Sequence, residues 1–421
     1  MIPKRNSIRP LELVLGLIIL YSIMPIVSQL FSDFLTTYAY MVVLFGAVLF
    51  VMFLHGTKSL AESVLVLIPF VLWMVLELFT KDQSIILWGY SSMAMLAPLL
   101  FGMLLMKETG PKVVRFLVIV LAIAVLITTL STIIGSIFYP EASRYLASAE
   151  SEDSQLRLFN SINIGGYDFV YTAILLYPAA VFAYKQKKLH LVFAVIAAAL
   201  MLFLTLNSGY TTAFLLWLAS TAMFFFPRKL SKRWVLILLI VTIVVVVFFL
   251  PLLSPGIKTL AKRIDNQEIS YRLTALADGS EGIRSSEDNR VALYEKSWKA
   301  FLKNPLFGNA LGTGGAGGSH SFLLDFAAQY GLVGIVLLVV MYRLIFVRFF
   351  KPFEKIPGYG YILWMFLQTL ILSAVNTGMW INLLCWWIPL SVTAILQTSK
   401  KEDLLRENLK KAAEKNDIKI K

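Results

Sequence analysis

Apolar residues fill this chain in long blocks separated by short polar breaks, and the blocks recur from residue 11 to residue 397. A hydrocarbon layer about 30 Å thick is crossed by a helix of roughly 17–25 residues. Blocks of about that length lie at 11–31, 38–54, 62–79, 84–106, 113–139, 167–184, 189–206, 209–226, 234–253, 320–342, 359–377 and 379–397. Inside lipid the backbone must satisfy its own polar groups, so the pattern predicts an all-α polytopic membrane protein of about twelve transmembrane helices. The first block follows Lys4, Arg5 and Arg9, as a secretory signal would. It is long, lacks a small-residue cleavage site and precedes many further spans, so it reads as a retained first helix.

The cations alternate with the blocks. With the N-terminus inside, inner segments hold Lys4, Arg5 and Arg9; Lys58; Lys107, Lys112 and Arg115; Lys185, Lys187 and Lys188; Arg228, Lys229, Lys232 and Arg233; Arg343, Arg348, Lys351 and Lys355; and the basic tail. The short outer loops hold only Lys81, Arg144 and Arg157. This asymmetry predicts cytoplasmic N- and C-termini. The resulting organisation is helices one to nine over 1–253 with a smaller outer loop at 140–166, a large extracytoplasmic loop at 254–319, helices ten to twelve over 320–397, and a basic cytoplasmic tail at 398–421.

Within the large loop, amphipathic helices are expected near 257–276 and 287–302. In the second, Val291, Tyr294, Trp298 and Phe301 form an apolar stripe, Ser285 or Ser286 can cap the start, and Asn304-Pro305 ends it. Arg290 falls off that stripe.

Composition agrees with the pattern: 58% hydrophobic, 15% charged and a mean hydropathy of +0.76 lie far outside the soluble globular range. The net charge of +13 is spread between spans, so topology explains it and nucleic acid does not. A lone cysteine, Cys385 in the last block, excludes an intrachain disulfide.

Candidate chemistry concentrates at residues 286–334. His320 follows Gly317, Gly318 and Ser319 at the start of a long apolar helix. The positive end of that helix dipole disfavours imidazolium and favours a neutral ring able to accept a proton. A histidine that merely caps or packs at the interface is the other reading. Arg263, Arg272, Arg284 and Arg290, with Arg157 from the smaller loop, offer planar guanidinium forks suited to a diphosphate, or else are solvated loop cations. The run GTGGAG at 312–317 has no βαβ context and sits on the wrong side of the membrane for a nucleotide. Glu77, Asp168 and Asp325 are scattered, and no spacing indicates a metal site. Neither a charged pathway nor a repeat with broken helices marks a transporter.

The run NPLFGNALGTGGAGGSHSFLLDFAAQYGLVG resembles the signature of the O-antigen ligase and Wzy-type polysaccharide polymerase family, and Arg290 matches the arginine preceding it. RLFNSINIGGYDF resembles the family's other outer element, with Arg157 and Asn163 in the matching places. Many members carry Asn after the histidine, where this chain has Ser321. GGYDF and HSFLLDFAAQYG look closer to the capsular or exopolysaccharide polymerase branch.

The resemblance implies transfer of a glycan from an undecaprenyl-diphosphate carrier to a sugar hydroxyl of a lipid-linked acceptor, at the outer face of the bacterial cytoplasmic membrane. No metal or cofactor is implied, and a flippase and a chain-length regulator are expected partners. Arg290 and Arg157 would hold the diphosphate and His320 would act as base. Asn163, Tyr167, Asp168, Arg263, Arg272, Arg284, Ser321 and Asp325 would support them. A ligase that moves finished chains to another acceptor, and a lipid-linked-glycan flippase, are the competing readings.

Overall fold

The computed structural model describes residues 10–34, 46, 67–77, 96–100, 102–103, 111–148, 154–244, 256, 258–259, 262–263, 270, 274, 290–309, 321–376 and 378–397. Regular structure among them is helical. We number the helices α1 (Pro10–Ile23), α2 (Pro25–Phe34), α3 (Leu67–Glu77), α4 (Pro111–Phe138), α5 (Ala142–Ser148), α6 (Ser154–Ser161) and α7 (Tyr167–Lys185). They continue as α8 (Leu191–Ser208), α9 (Thr211–Ala222), α10 (Lys232–Val244), α11 (Arg290–Lys303), α12 (Phe322–Ile345), α13 (Tyr359–Val375) and α14 (Leu383–Gln397).

Four described helices are long and apolar enough to cross a membrane: α4, α7, α8, and α12 with its continuation to Phe353. Segments α3, α9, α13 and α14 are apolar but shorter. The expected blocks at 38–54 and 84–106 lie mostly outside the described residues, as do most of the 254–319 loop and the 398–421 tail.

The first expected block is not one helix. It breaks at Met24, between α1 and α2. Pro25 explains this: its ring fixes φ and supplies no N–H, so it opens a new helix more readily than it continues an old one.

Helix α4 shows how the bundle meets its solvent. Ile119, Ile123, Leu130, Ile134 and Ile137 are exposed along one side, while Leu117, Leu121, Ala124, Thr128, Thr132 and Ser136 are buried along the other. An apolar face that large is stable only against hydrocarbon. On the inward side, Thr132 and Ser136 donate to the carbonyls four residues back, Thr128 O at 2.6 Å and Thr132 O at 2.7 Å, so these hydroxyls enter the core already satisfied.

Helices α7, α9 and α13 share the centre of the bundle. There Gln368 donates to Leu175 O (2.7 Å), Ser220 donates to Gln368 Oε1 (3.2 Å), and the Trp364 indole donates to Ser220 Oγ (3.1 Å). A buried polar chain with partners at each step fixes helix register in a medium where apolar contact alone discriminates poorly.

One end of the bundle is basic. Lys185 donates to the carbonyls of Phe224 and Phe226, Arg228 to Gln186, Gln186 to Pro357 O, and Lys232 pairs with Glu354. The opposite end gathers the 139–166 segment, the Ser208–Tyr210 junction, α11, the start of α12 and the turn after α13.

Candidate functional site

Two of the sequence motifs meet through their backbones. Asn304 and Pro305 end α11, and the 304–309 turn lies against a break inside α12 at Gly331, whose φ of 62° and ψ of −154° are not helical. Leu332 N donates to Pro305 O (2.8 Å), Val333 N to Leu306 O (3.2 Å), and Asn309 N to Ala328 O (3.1 Å). A Cβ on Gly331 would stand 2.5 Å from the carbonyl of Leu306, and one on Gly308 2.6 Å from Ala328 O. The glycines of NPLFG and YGLVG therefore permit a close backbone approach at this junction. The turn occupies the gap that the broken helix opens.

The start of α12 is held just as firmly. Ser321, extended at φ −136° and ψ 110°, caps it by accepting from Leu324 N (3.2 Å) and donates its hydroxyl to Ala374 O (2.7 Å). Asp325 accepts from Ser321 N (3.1 Å) and from the Ser297 hydroxyl of α11 (2.5 Å). Phe322 N reaches Asn376 O (3.0 Å), and one residue along, Val375 O accepts from Tyr294 of α11 (2.8 Å). Two adjacent carbonyls at the end of α13 thus anchor Ser321 and Tyr294. Ser321 follows His320 in the chain, and Tyr294 lies one helical turn after Arg290.

His320 itself lies outside the described residues, as do Arg272 and Arg284. Arg290 opens α11, and Arg263 is exposed. Ser321 and Asp325, expected to support a site, are engaged in these anchoring hydrogen bonds. The sequence singled out neither Tyr294 nor the 376–380 turn. Tyr294 counted only as one position of an apolar stripe, and the turn was compressed into the single residue between two expected spans, 359–377 and 379–397.

The smaller loop folds onto α4. Gly165 N donates to Thr132 Oγ1 (2.8 Å). Asn163, buried with φ 61°, donates to Thr128 Oγ1 (3.1 Å) and accepts from Ile26 N (3.3 Å). That accounts for its amide as a tie between α2 and α4. Arg157 is exposed on α6. A buried arginine absent from the expected site, Arg144, donates to Gly209 O (2.6 Å) and Ser208 O (3.4 Å) at the α8–α9 junction, where Gly209 has φ 67°. The hydroxyl of Tyr210 donates to Ser143 O (2.9 Å), and Ser143 to Gly165 O (2.8 Å).

Aromatic rings connect this loop to the end of α13. Tyr167 has its centroid 4.7 Å from Tyr171, 5.6 Å from Tyr210 and 6.3 Å from Trp380, and Trp380 is 6.0 Å from Tyr171. Asp168, in the first turn of α7, is exposed beside them. Asn376 ties the same turn to Phe322. The smaller loop and the start of α12 therefore meet through the 374–380 segment, although a long stretch of sequence separates them. Among the described residues no group of three metal-ligating side chains occurs.

Comparison with known proteins gives one family. Residues 193–339 match the family model described as O-antigen ligase, which spans α8 to α12 and includes Arg290, His320 and both docking glycines. No curated protein matches the chain.

Proposed function

We propose that this protein, whose residues 193–339 match the family model described as O-antigen ligase, is a polysaccharide polymerase of the bacterial cytoplasmic membrane. It transfers glycan from an undecaprenyl-diphosphate carrier to a sugar hydroxyl of a lipid-linked acceptor at the outer face. The family supports glycan transfer in general. Donor, acceptor and branch come from the resemblance of HSFLLDFAAQYG and GGYDF to the capsular and exopolysaccharide polymerases.

His320 takes the proton of the incoming hydroxyl as its oxygen attacks the anomeric carbon. The bond from that carbon to the diphosphate oxygen breaks, and the carrier diphosphate leaves with the electron pair. Arg290 and Arg157 stabilise the charge that develops on it, so the step requires no metal and inverts the anomeric centre. A positioned base contributes roughly 10²–10⁴-fold, and preorganised cationic donors contribute a comparable factor.

The observation that supports this reading is the paired anchoring at Ala374 and Val375, which ties the segment after His320 and the helix of Arg290 to neighbouring carbonyls. A base and a cation acting on one bond need such a common mount.

Complementation of a polymerase-null strain tests the assignment. His320→Ala and Arg290→Ala insert and express, yet leave single lipid-linked repeat units. Normal chain lengths from both variants would remove the catalytic assignment. Finished chains accumulating on the carrier would indicate a ligase instead.

A further inference from the structure

The turn after α13 carries strain and unmet hydrogen-bonding capacity in the same few residues. Trp380 has φ 53°, a conformation a bulky side chain adopts only at a cost of about 1–3 kcal/mol. Gly378, two residues earlier, has φ 114°. The Trp380 side chain is half-buried, while its Nε1 is buried with no hydrogen-bond partner among the described residues. Asn376 is 5% exposed, and its Nδ2 is likewise buried without a described partner. Buried donors are nearly always satisfied, so two such groups in one turn call for an acceptor that the described residues do not supply. Strain of this kind persists where surrounding structure enforces it, as at ligand clamps.

The neighbourhood sets the chemistry of that acceptor. The ring of Tyr167, also half-buried, lies 6.3 Å from Trp380 at an interplanar angle of 31°, making an aromatic wall. Asp168 follows Tyr167 and is exposed. The two unmet donors are neutral and Asp168, the chain neighbour of Tyr167, brings a carboxyl group to the same helix start, whereas the Arg144 guanidinium donates to the carbonyls of Ser208 and Gly209. Neutral donors, a carboxylate and aromatic faces suit a polyhydroxylated ring: its oxygens accept from Trp380 and Asn376, its hydroxyls donate to Asp168, and its C–H face packs on the rings.

We infer that Asn376 and Trp380, with Tyr167 and Asp168, form a saccharide subsite that receives a sugar of the lipid-linked oligosaccharide. This rests on the glycan-transfer reading and deepens it. The subsite lies at the junction joining the smaller loop to the start of α12.

Binding to purified full-length protein in detergent tests the subsite, with two radiolabelled probes: undecaprenyl diphosphate bearing the oligosaccharide of the producing cell, and undecaprenyl diphosphate alone. Trp380→Phe removes the indole N–H and keeps an aromatic face, and Asn376→Leu removes the amide at similar shape. Each weakens binding of the sugar-bearing lipid about three- to tenfold, the effect of one neutral hydrogen bond, and leaves the bare lipid within about twofold of wild type. Equal losses for both lipids, or no loss for either, would overturn the subsite while wild-type binding keeps the glycan-transfer reading intact. Wild-type protein that binds neither lipid would overturn both. Tyr167→Ala, which removes a face and no hydrogen bond from the pair, extends the series and weakens only the sugar-bearing lipid.

Discussion

The docking of the 304–309 turn into the break in α12 makes Gly331→Ala the most informative single substitution outside the reacting groups. The native φ and ψ of Gly331 lie in a region essentially reserved for glycine, so an alanine there costs about 1–3 kcal/mol before any contact is considered. Its Cβ would also stand 2.5 Å from Leu306 C and O and 2.6 Å from Gly308 N, all backbone atoms that cannot swing aside. Relief requires the turn to withdraw, and withdrawal gives up the Leu332–Pro305 and Val333–Leu306 hydrogen bonds. At about 0.5–1.5 kcal/mol each, these raise the expected destabilisation to about 2–6 kcal/mol.

Because the turn ends α11, withdrawal also displaces the helix that carries Arg290. Thermal unfolding of the purified variant in detergent, together with the chain-length profile of complemented cells, reads both effects. Lower thermal stability and shortened polymer are expected, while Leu332→Ala, at an exposed neighbouring position, leaves both near wild type. Wild-type melting and full-length polymer from Gly331→Ala would refute the docking argument.

Other outcomes follow from the same geometry. Tyr294→Phe loses the bond to Val375 O and strands that carbonyl, so transfer falls several-fold while expression holds, as measured by polymer yield per unit of protein. Arg290→Lys keeps charge without the bidentate fork and restores less than full activity. Extended incubation with a chelator leaves transfer by reconstituted protein unchanged, and loss restored by added divalent ions would contradict the metal-free step. At the basic end, the hydrogen bond and charge of Lys232 hold the Glu354 carboxyl below its ordinary range. The pair's contribution is therefore complete above the usual glutamate value and is lost as pH falls through the lowered one. Glu354→Gln removes that contribution at neutral pH, a small loss for an exposed pair, and flattens that part of the melting-temperature profile, so that variant and wild type converge in acid.

The membrane-spanning helices were readable because burial in hydrocarbon is a property of composition. The blocks at 113–139, 167–184 and 189–206 correspond to α4, α7 and α8 within a few residues. Helix α11 was readable too, since an apolar stripe and an Asn-Pro stop are local signals. The break at Pro25 was also local but lay hidden inside an uninterrupted apolar run. The remaining features depend on partners distant in sequence. Gly308 and Gly331 announce flexibility, but only the fold pairs them, and Ser321 reads as a residue beside a histidine until Ala374 appears as its acceptor. Trp380 gave no signal beyond its place at the edge of an apolar block, because its φ and its unmet N–H are consequences of the turn around it.

The central claim is that His320 and Arg290 act on one glycosyl bond. Elongation of radiolabelled lipid-linked repeat units by purified protein in proteoliposomes tests it most directly. Wild-type protein elongates them, and His320→Ala retains the lipid but fails to elongate it, with a rate lower by about 10²-fold or more. Elongation by His320→Ala at the wild-type rate would contradict the account.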